Sequence, residues 1–201
     1  MNTYKKNLEL LTKNNVYSKE MEHDACGVGL IASTEGKKSR EVVEYGIEAL
    51  KAVWHRGAVD ADGKTGDGAG IHLEIPKDFF VEKIEVTGHT HDGSDICVGM
   101  IFLPRNDYSS QESCKTIVES ELTKNDFSIY GWRQVPVNPK VLGEKAFQTM
   151  PEIIQVLFKS NDKNLLDKDL ERKIYETRKK IENKAFNLSL NNFYICSISS
   201  K

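Results

Sequence analysis

Apolar residues recur along this chain at two spacings, and the switches between them mark out its elements. Between 39 and 54, Val42, Val43, Ile47, Leu50, Val53 and Trp54 share one side of a 3.6-residue wheel, which predicts an amphipathic helix. A charged stretch over 167–185 repeats that spacing with Leu170, Ile174 and Ile181 on its inner side. Ser109-Ser110-Gln111-Glu112 has the form of a capping box and predicts a helix running to about Lys124. Short apolar or alternating runs predict strands at 27–33, 71–75, 96–103, 127–137, 153–158 and 193–198; Pro76 and Pro104 stop two of them. Residues 1–20 are rich in Lys and Asn, a pattern equally compatible with a short helix and with no stable element.

The strands arrive in pairs and the helices intermittently, without regular βαβ alternation. That order predicts an α+β layered sheet rather than a doubly wound fold. Repeats, low-complexity linkers and shifts of composition are all missing, so one domain is the simplest organisation. The 201 residues are 39% hydrophobic and 29% charged, enough for a substantial core. A formal net charge of -2 offers no electrostatic footprint for nucleic acid or an anionic membrane. No run approaches the roughly 20 apolar residues of a membrane span. Residues 8–13 are too short and too charged for a secretory core, so the expected location is cytoplasmic.

Four cysteines, Cys26, Cys97, Cys114 and Cys196, are scattered, and none forms a C-x-x-C pair. Disulfides and a zinc knuckle therefore have no support. Cys97, Cys114 and Cys196 lie in apolar strand or helix patterns and are expected to be small buried hydrophobes. Cys26 differs, sitting in Asp24-Ala25-Cys26-Gly27-Val28-Gly29. Cleavage before it would place a thiol and a free α-amino group on one residue. An amine with a pKa near ~8 can take the thiol proton without a separate histidine.

Gly57 is expected to end the first amphipathic helix and open a loop containing Gly63, Gly66, Gly68 and Gly70. Arg56 at its start has planar donors suited to a carboxylate, yet a cation at a helix C-terminus is favoured in any case, so both readings stand. Gly63-Lys64-Thr65 matches the end of a phosphate loop, but the required earlier glycine is Ala58 and the element order is reversed. His89, His91, Asp92 and Asp95 could be drawn as a metal cluster, though a solvated loop is the better expectation. Trp132 and Arg133 could bind a ligand, though a tryptophan in such a strand is more often core or interface, and the charges of 171–180 read as the wet face of a helix rather than a nucleic-acid patch.

In order, Asp24-Ala25-Cys26-Gly27-Val28-Gly29, His55-Arg56-Gly57-Ala58 and Thr65-Gly66-Asp67-Gly68-Ala69-Gly70-Ile71 closely resemble the class II glutamine amidotransferase (glutaminase) domain of glutamate synthase large subunits. The resemblance continues through Gly131-Trp132-Arg133-Gln134-Val135-Pro136-Val137, Met150-Pro151-Glu152-Ile153-Ile154-Gln155 and Phe193-Tyr194-Ile195-Cys196-Ser197. It implies an N-terminal-nucleophile hydrolase fold, an αββα sandwich of two facing antiparallel sheets that is incomplete in this chain. It implies a propeptide, 1–25, removed to leave 26–201 with Cys26 first, as nucleophile and, through its α-amino group, as base. Arg56 and Gly57 would bind glutamine. Glutamine hydrolysis through a thioester would supply ammonia for reductive glutamate formation from 2-oxoglutarate.

The resemblance implies no metal or cofactor in this segment, and FMN and an iron–sulfur cluster in the full-length protein. Implied partners are glutamine, the synthase domains of the same chain, and an electron-donating small subunit or ferredoxin; nucleic acid and membrane are not among them. The family's later H-N-G-E-I-N stretch, carrying its oxyanion donors, has no counterpart here. One such donor typically contributes about 10²–10³ in rate. The chain thus reads as a fragment, with an inactive isolated chain expected and a non-catalytic remnant or interaction module as the alternative.

Overall fold

The computed structural model describes residues 3–14, 27–53 and 59–201, which divide into two units, 1–59 with 66–71 and 60–65 with 72–201. In the first unit, helix α1 spans Thr3–Lys13 and helix α2 spans Arg40–Ala52. Ser39 caps α2, its hydroxyl accepting the Val42 amide at 3.3 Å and satisfying one of the orphan donors of the first turn. Val42, Val43, Ile47 and Leu50 are half-buried, as the helical period requires. The expected strand at 27–33 does not form: these residues carry no ladder, and Val28 and Leu30 are 91% and 89% exposed. A strand exists only through a partner, and the described residues supply none beside this run.

The second unit is built on one antiparallel sheet. Its strands are β1 (Cys97–Leu103), β2 (Phe127–Gln134), β3 (Glu152–Ser160) and β4 (Tyr194–Ser199), in the order β2-β3-β1-β4. Side chains alternate across the pleat. Cys97, Ile101 and Leu103 of β1, and Ile154, Val156 and Phe158 of β3, point to one face. Helices α4 (Tyr108–Lys124) and α6 (Asp167–Asn187) cover it with Cys114, Val118, Leu122, Leu170, Ile174 and Ile181. On the other face, Val98, Leu157 and Tyr130 meet Phe80 and Ile84 of helix α3 (Lys77–Val86), with Ile75 and Ile96 alongside. A short 3-10 turn at Pro139–Val141 and helix α5 (Glu144–Thr149) occupy the long connection between β2 and β3.

Several expectations are corrected here. The run 71–75 forms no strand. Pro76 does not merely stop an element; it is the N-cap residue of α3, a helix the apolar pattern did not reveal. A proline ring disfavours strand continuation and suits the start of a helix equally well. The cap of α4 is Asp107, not Ser109: its carboxylate accepts the Ser110 amide at 3.0 Å and the Ser110 hydroxyl at 2.6 Å. Cys196 is exposed rather than buried, because the β1–β4 register slips between Ile195 and Ser197 and leaves it as the extra residue of a bulge.

A second bulge, in β2, needs a glycine. Gly131 has φ +148°, and a Cβ there would lie 2.9 Å from the Thr87 methyl, while the Thr87 hydroxyl donates to the Tyr130 carbonyl at 2.9 Å. The α+β class therefore holds. The facing second sheet of a sandwich is not among the described residues.

Candidate active site

The three predicted site residues, Cys26, Arg56 and Gly57, lie outside the described residues. The other thiols can be compared with what a nucleophile requires, namely an accessible thiolate. Cys97 is fully buried, and desolvation, with smaller contributions from Glu171 and Asp95, pushes its pKa up to about 12. Burial likewise raises the Cys114 thiol to about 11, with the Asp107 charge adding to it. Both stay protonated near neutral pH and are inert core residues. Cys196 is exposed on the β4 bulge.

Downstream of Arg56 and Gly57, the chain makes a tight turn. Asp60 donates its amide to the Thr65 carbonyl at 2.7 Å, and Gly63, with φ +68°, donates to the Asp60 carbonyl at 2.9 Å. The Asp62 carboxylate closes the turn, accepting the Lys64 amide at 2.9 Å, the Thr65 amide at 2.7 Å and the Thr65 hydroxyl at 2.5 Å. These bonds, led by the Thr65 hydroxyl, hold the carboxyl well below the usual carboxylate range. The amides that a phosphate loop would offer its ligand are thus taken by Asp62, which disposes of that alternative.

The same turn caps α5 from 80 residues away. Gly143, the N-cap of α5, has no side chain to offer. In its place Asp62 receives the Glu144 amide, and the Thr65 hydroxyl lies 3.5 Å from the Ala146 amide. Lys145 pairs with Asp60 at 2.5 Å. A Cβ on Gly143 would sit 2.5 Å from the Thr65 amide nitrogen and closer still to the Thr65 hydroxyl and Asp62 carboxylate. The turn and the first turn of α5 therefore fit only because residue 143 is glycine. Neither Gly143 nor Lys145 stands out in the sequence, since a contact at such separation leaves no local pattern.

The other candidates resolve into structure. His89 Nδ1 lies 3.1 Å from the Thr87 hydroxyl, His91 Nε2 lies 2.8 Å from the Ser94 carbonyl, and Asp95 pairs with Lys77 at 2.9 Å. Asp92 pairs with Lys159 at 2.8 Å and Lys163 at 3.5 Å, and accepts a short bond from the Ser94 hydroxyl. Among the described residues no group of three or more His, Cys, Asp or Glu side chains is placed to hold a metal ion. This loop is pinned to the sheet rather than merely solvated. Trp132 donates to Glu119 at 2.6 Å, and Arg133 donates to Gln155 at 2.7 Å and stacks on Phe79 at 5.1 Å. Both are packing residues. No described helix is long and apolar enough to cross a membrane.

Comparison with known proteins decides the family. The family model described as "Glutamine amidotransferases class-II" matches residues 26–201, beginning at the cysteine singled out above. The chain belongs to the class-II glutamine amidotransferases. This amidotransferase chain is 51% identical over 198 residues to the glutamate synthase (NADPH) large chain of Azospirillum brasilense, covering 98% of its own length and 13% of that protein. It is 38% identical over 195 residues to the ferredoxin-dependent glutamate synthase of Pyropia yezoensis, covering 94% and 12%. To ferredoxin-dependent glutamate synthase 1, chloroplastic/mitochondrial, of Arabidopsis thaliana it is 40% identical over 182 residues, covering 90% and 11%. The chain thus spans about an eighth of the length of these curated relatives.

Proposed function

We propose that this amidotransferase segment hydrolyses glutamine within a glutamate synthase, with Cys26 as nucleophile. The observation that carries the reading is the start of the family match at Cys26, together with identity to glutamate synthases along nearly the whole chain. Removal of residues 1–25 would free the Cys26 α-amino group. That amine takes the Sγ proton, and the sulfur adds to the side-chain amide carbon of glutamine. The tetrahedral intermediate expels ammonia, which carries away the proton held by the amine, and leaves a γ-glutamyl thioester. Water, losing a proton to the same amine, adds to the thioester; the C–S bond breaks and glutamate departs with the thiol restored.

Arg56 would grip the substrate carboxylate through its paired N–H donors, with Gly57 lining the same site. The reading takes β1–β4 and their helices as one side of an N-terminal-nucleophile sandwich. The released ammonia would be joined to 2-oxoglutarate in the synthase domains of the full-length protein. FMN and an iron–sulfur cluster, supplying the reducing electrons, fall in this reading outside these 201 residues, as does the donor, a small subunit or ferredoxin. Cys26→Ala in the full-length protein tests it: glutamine hydrolysis should fall to background, and retained turnover would overturn the assignment.

A further inference from the structure

We propose that Arg133 and Lys83, both stacked on Phe79, form a subsite for a small dicarboxylate on the face of the sheet that carries α3. Every residue of this subsite belongs to the second unit. Phe79 and Lys83 are one turn apart on α3 and share a face, with the Lys83 Nζ 5.0 Å from the centre of the Phe79 ring. The Arg133 guanidinium carbon lies 5.1 Å from the same centre. The two cations are therefore no farther apart than those two distances laid end to end. Like charges gathered at one ring repel each other, and an anion that meets both removes the repulsion.

Arg133 packs through only one edge of its guanidinium. Its Nη1 donates to Gln155 Oε1 at 2.7 Å across the β2–β3 register, and its remaining N–H groups stay open to an acceptor. Gln155 is only 8% exposed, so the fork is anchored by a side chain with little room to swing. Because an arginine only donates, the Gln155 oxygen must face it, which fixes the amide and leaves its Nε2 as a donor. Among the described residues that Nε2 has no acceptor, and neither Arg133 nor Lys83 is paired with a carboxylate. No side-chain polar atom among them is sealed from solvent without a partner, so the Nε2 is reachable from outside. A carboxylate matches this arrangement: two oxygens in one plane for the arginine fork, with the Gln155 Nε2 as a further donor. A second carboxylate on the same molecule would meet Lys83. The methylenes between them would lie along Phe79, which is 38% exposed and offers an apolar wall.

The experiment follows phenylglyoxal modification of Arg133 in the full-length protein by peptide mass mapping. Arg172, exposed on α6, is the internal reference. The probes are succinate, acetate and sodium chloride at matched ionic strength, so that general screening cancels. Succinate should protect Arg133 saturably and leave Arg172 as it was. Acetate should need about 10-fold more for half protection, the worth of one charge-assisted hydrogen bond, and chloride should give none. Lys83→Gln keeps Arg133 as the reporter; it should raise the half-protecting succinate concentration by about 10-fold and leave that of acetate unchanged. Succinate protection no better than that of acetate, or unaltered in Lys83→Gln, would overturn the inference. So would an Arg133 that phenylglyoxal cannot reach in the native protein, since a side chain of the protein would then occupy the fork.

Discussion

Phe158 offers the sharpest test of how the sheet is held together. It lies on β3, between β2 and β1, with no exposed surface, and its ring meets that of Phe127 edge-on at 5.3 Å between centroids. Truncation to Ala removes the buried ring and leaves a cavity under α4 and α6, a change that costs about 3–5 kcal/mol. About 0.5–1.5 kcal/mol of that belongs to the aromatic pair. Against a total stability of about 5–15 kcal/mol, such a loss is severe. The matched control is Phe186, near the C-terminus of α6 and 84% exposed, where Ala should change stability by no more than about 0.5 kcal/mol. Urea unfolding can be followed by Trp132, half-buried against the same core, after changing the second tryptophan, Trp54, to Phe. With a slope of about 2 kcal/mol/M, Phe158→Ala should lower the midpoint by about 1.5–2.5 M and Phe186→Ala by about 0.25 M or less. Equal shifts in the two variants would refute the assignment of the core to this face of the sheet.

Alkylation followed by peptide mass mapping should label Cys196 well before Cys97 and Cys114 in the native protein, because the latter two thiols are buried and raised to about 12 and about 11; labelling of Cys97 at the rate of Cys196 would contradict the fold. The Asp92 clasp predicts an acid-side loss of stability. Its carboxyl is lowered from 3.8, chiefly by the hydrogen bond from Lys159 and then those from Ser94, so the unfolded chain takes up the proton first as pH falls. Its stabilisation is complete above that value and shrinks below it. Asp92→Asn should flatten this part of a thermal-stability profile between pH 5 and pH 2, and a profile parallel to wild type would remove Asp92 from the account.

The elements legible in the sequence are those whose apolar period ran without interruption. In α6, Leu170, Ile174 and Ile181 were assigned inward and are buried, and β1 and β3 lie where their apolar runs do. Helix α3 escaped notice because Phe79 beside Phe80 blurs the period and Pro76 reads as punctuation. Runs at 27–33 and 71–75 have strand composition, but pairing depends on a partner that composition does not name. Side-chain ties between distant segments were equally invisible. Arg178 reaches the Ile195 carbonyl at 2.7 Å, and Glu171 binds the Ser200 amide at 2.7 Å, both from a face read only as wetted charge. At the site, motif order pointed to Cys26, Arg56 and Gly57. Only the structure brought Gly143 and Lys145 to the turn that follows them, across a separation of 85 residues between Lys145 and Asp60.

The central claim is that the working nucleophile and its base share one residue at the start of the mature chain. Intact mass and N-terminal sequencing of active, full-length protein address it directly. The account predicts a chain beginning at Cys26, with residues 1–25 gone. Full glutamine-hydrolysing activity in protein that still begins at Met1 would contradict it.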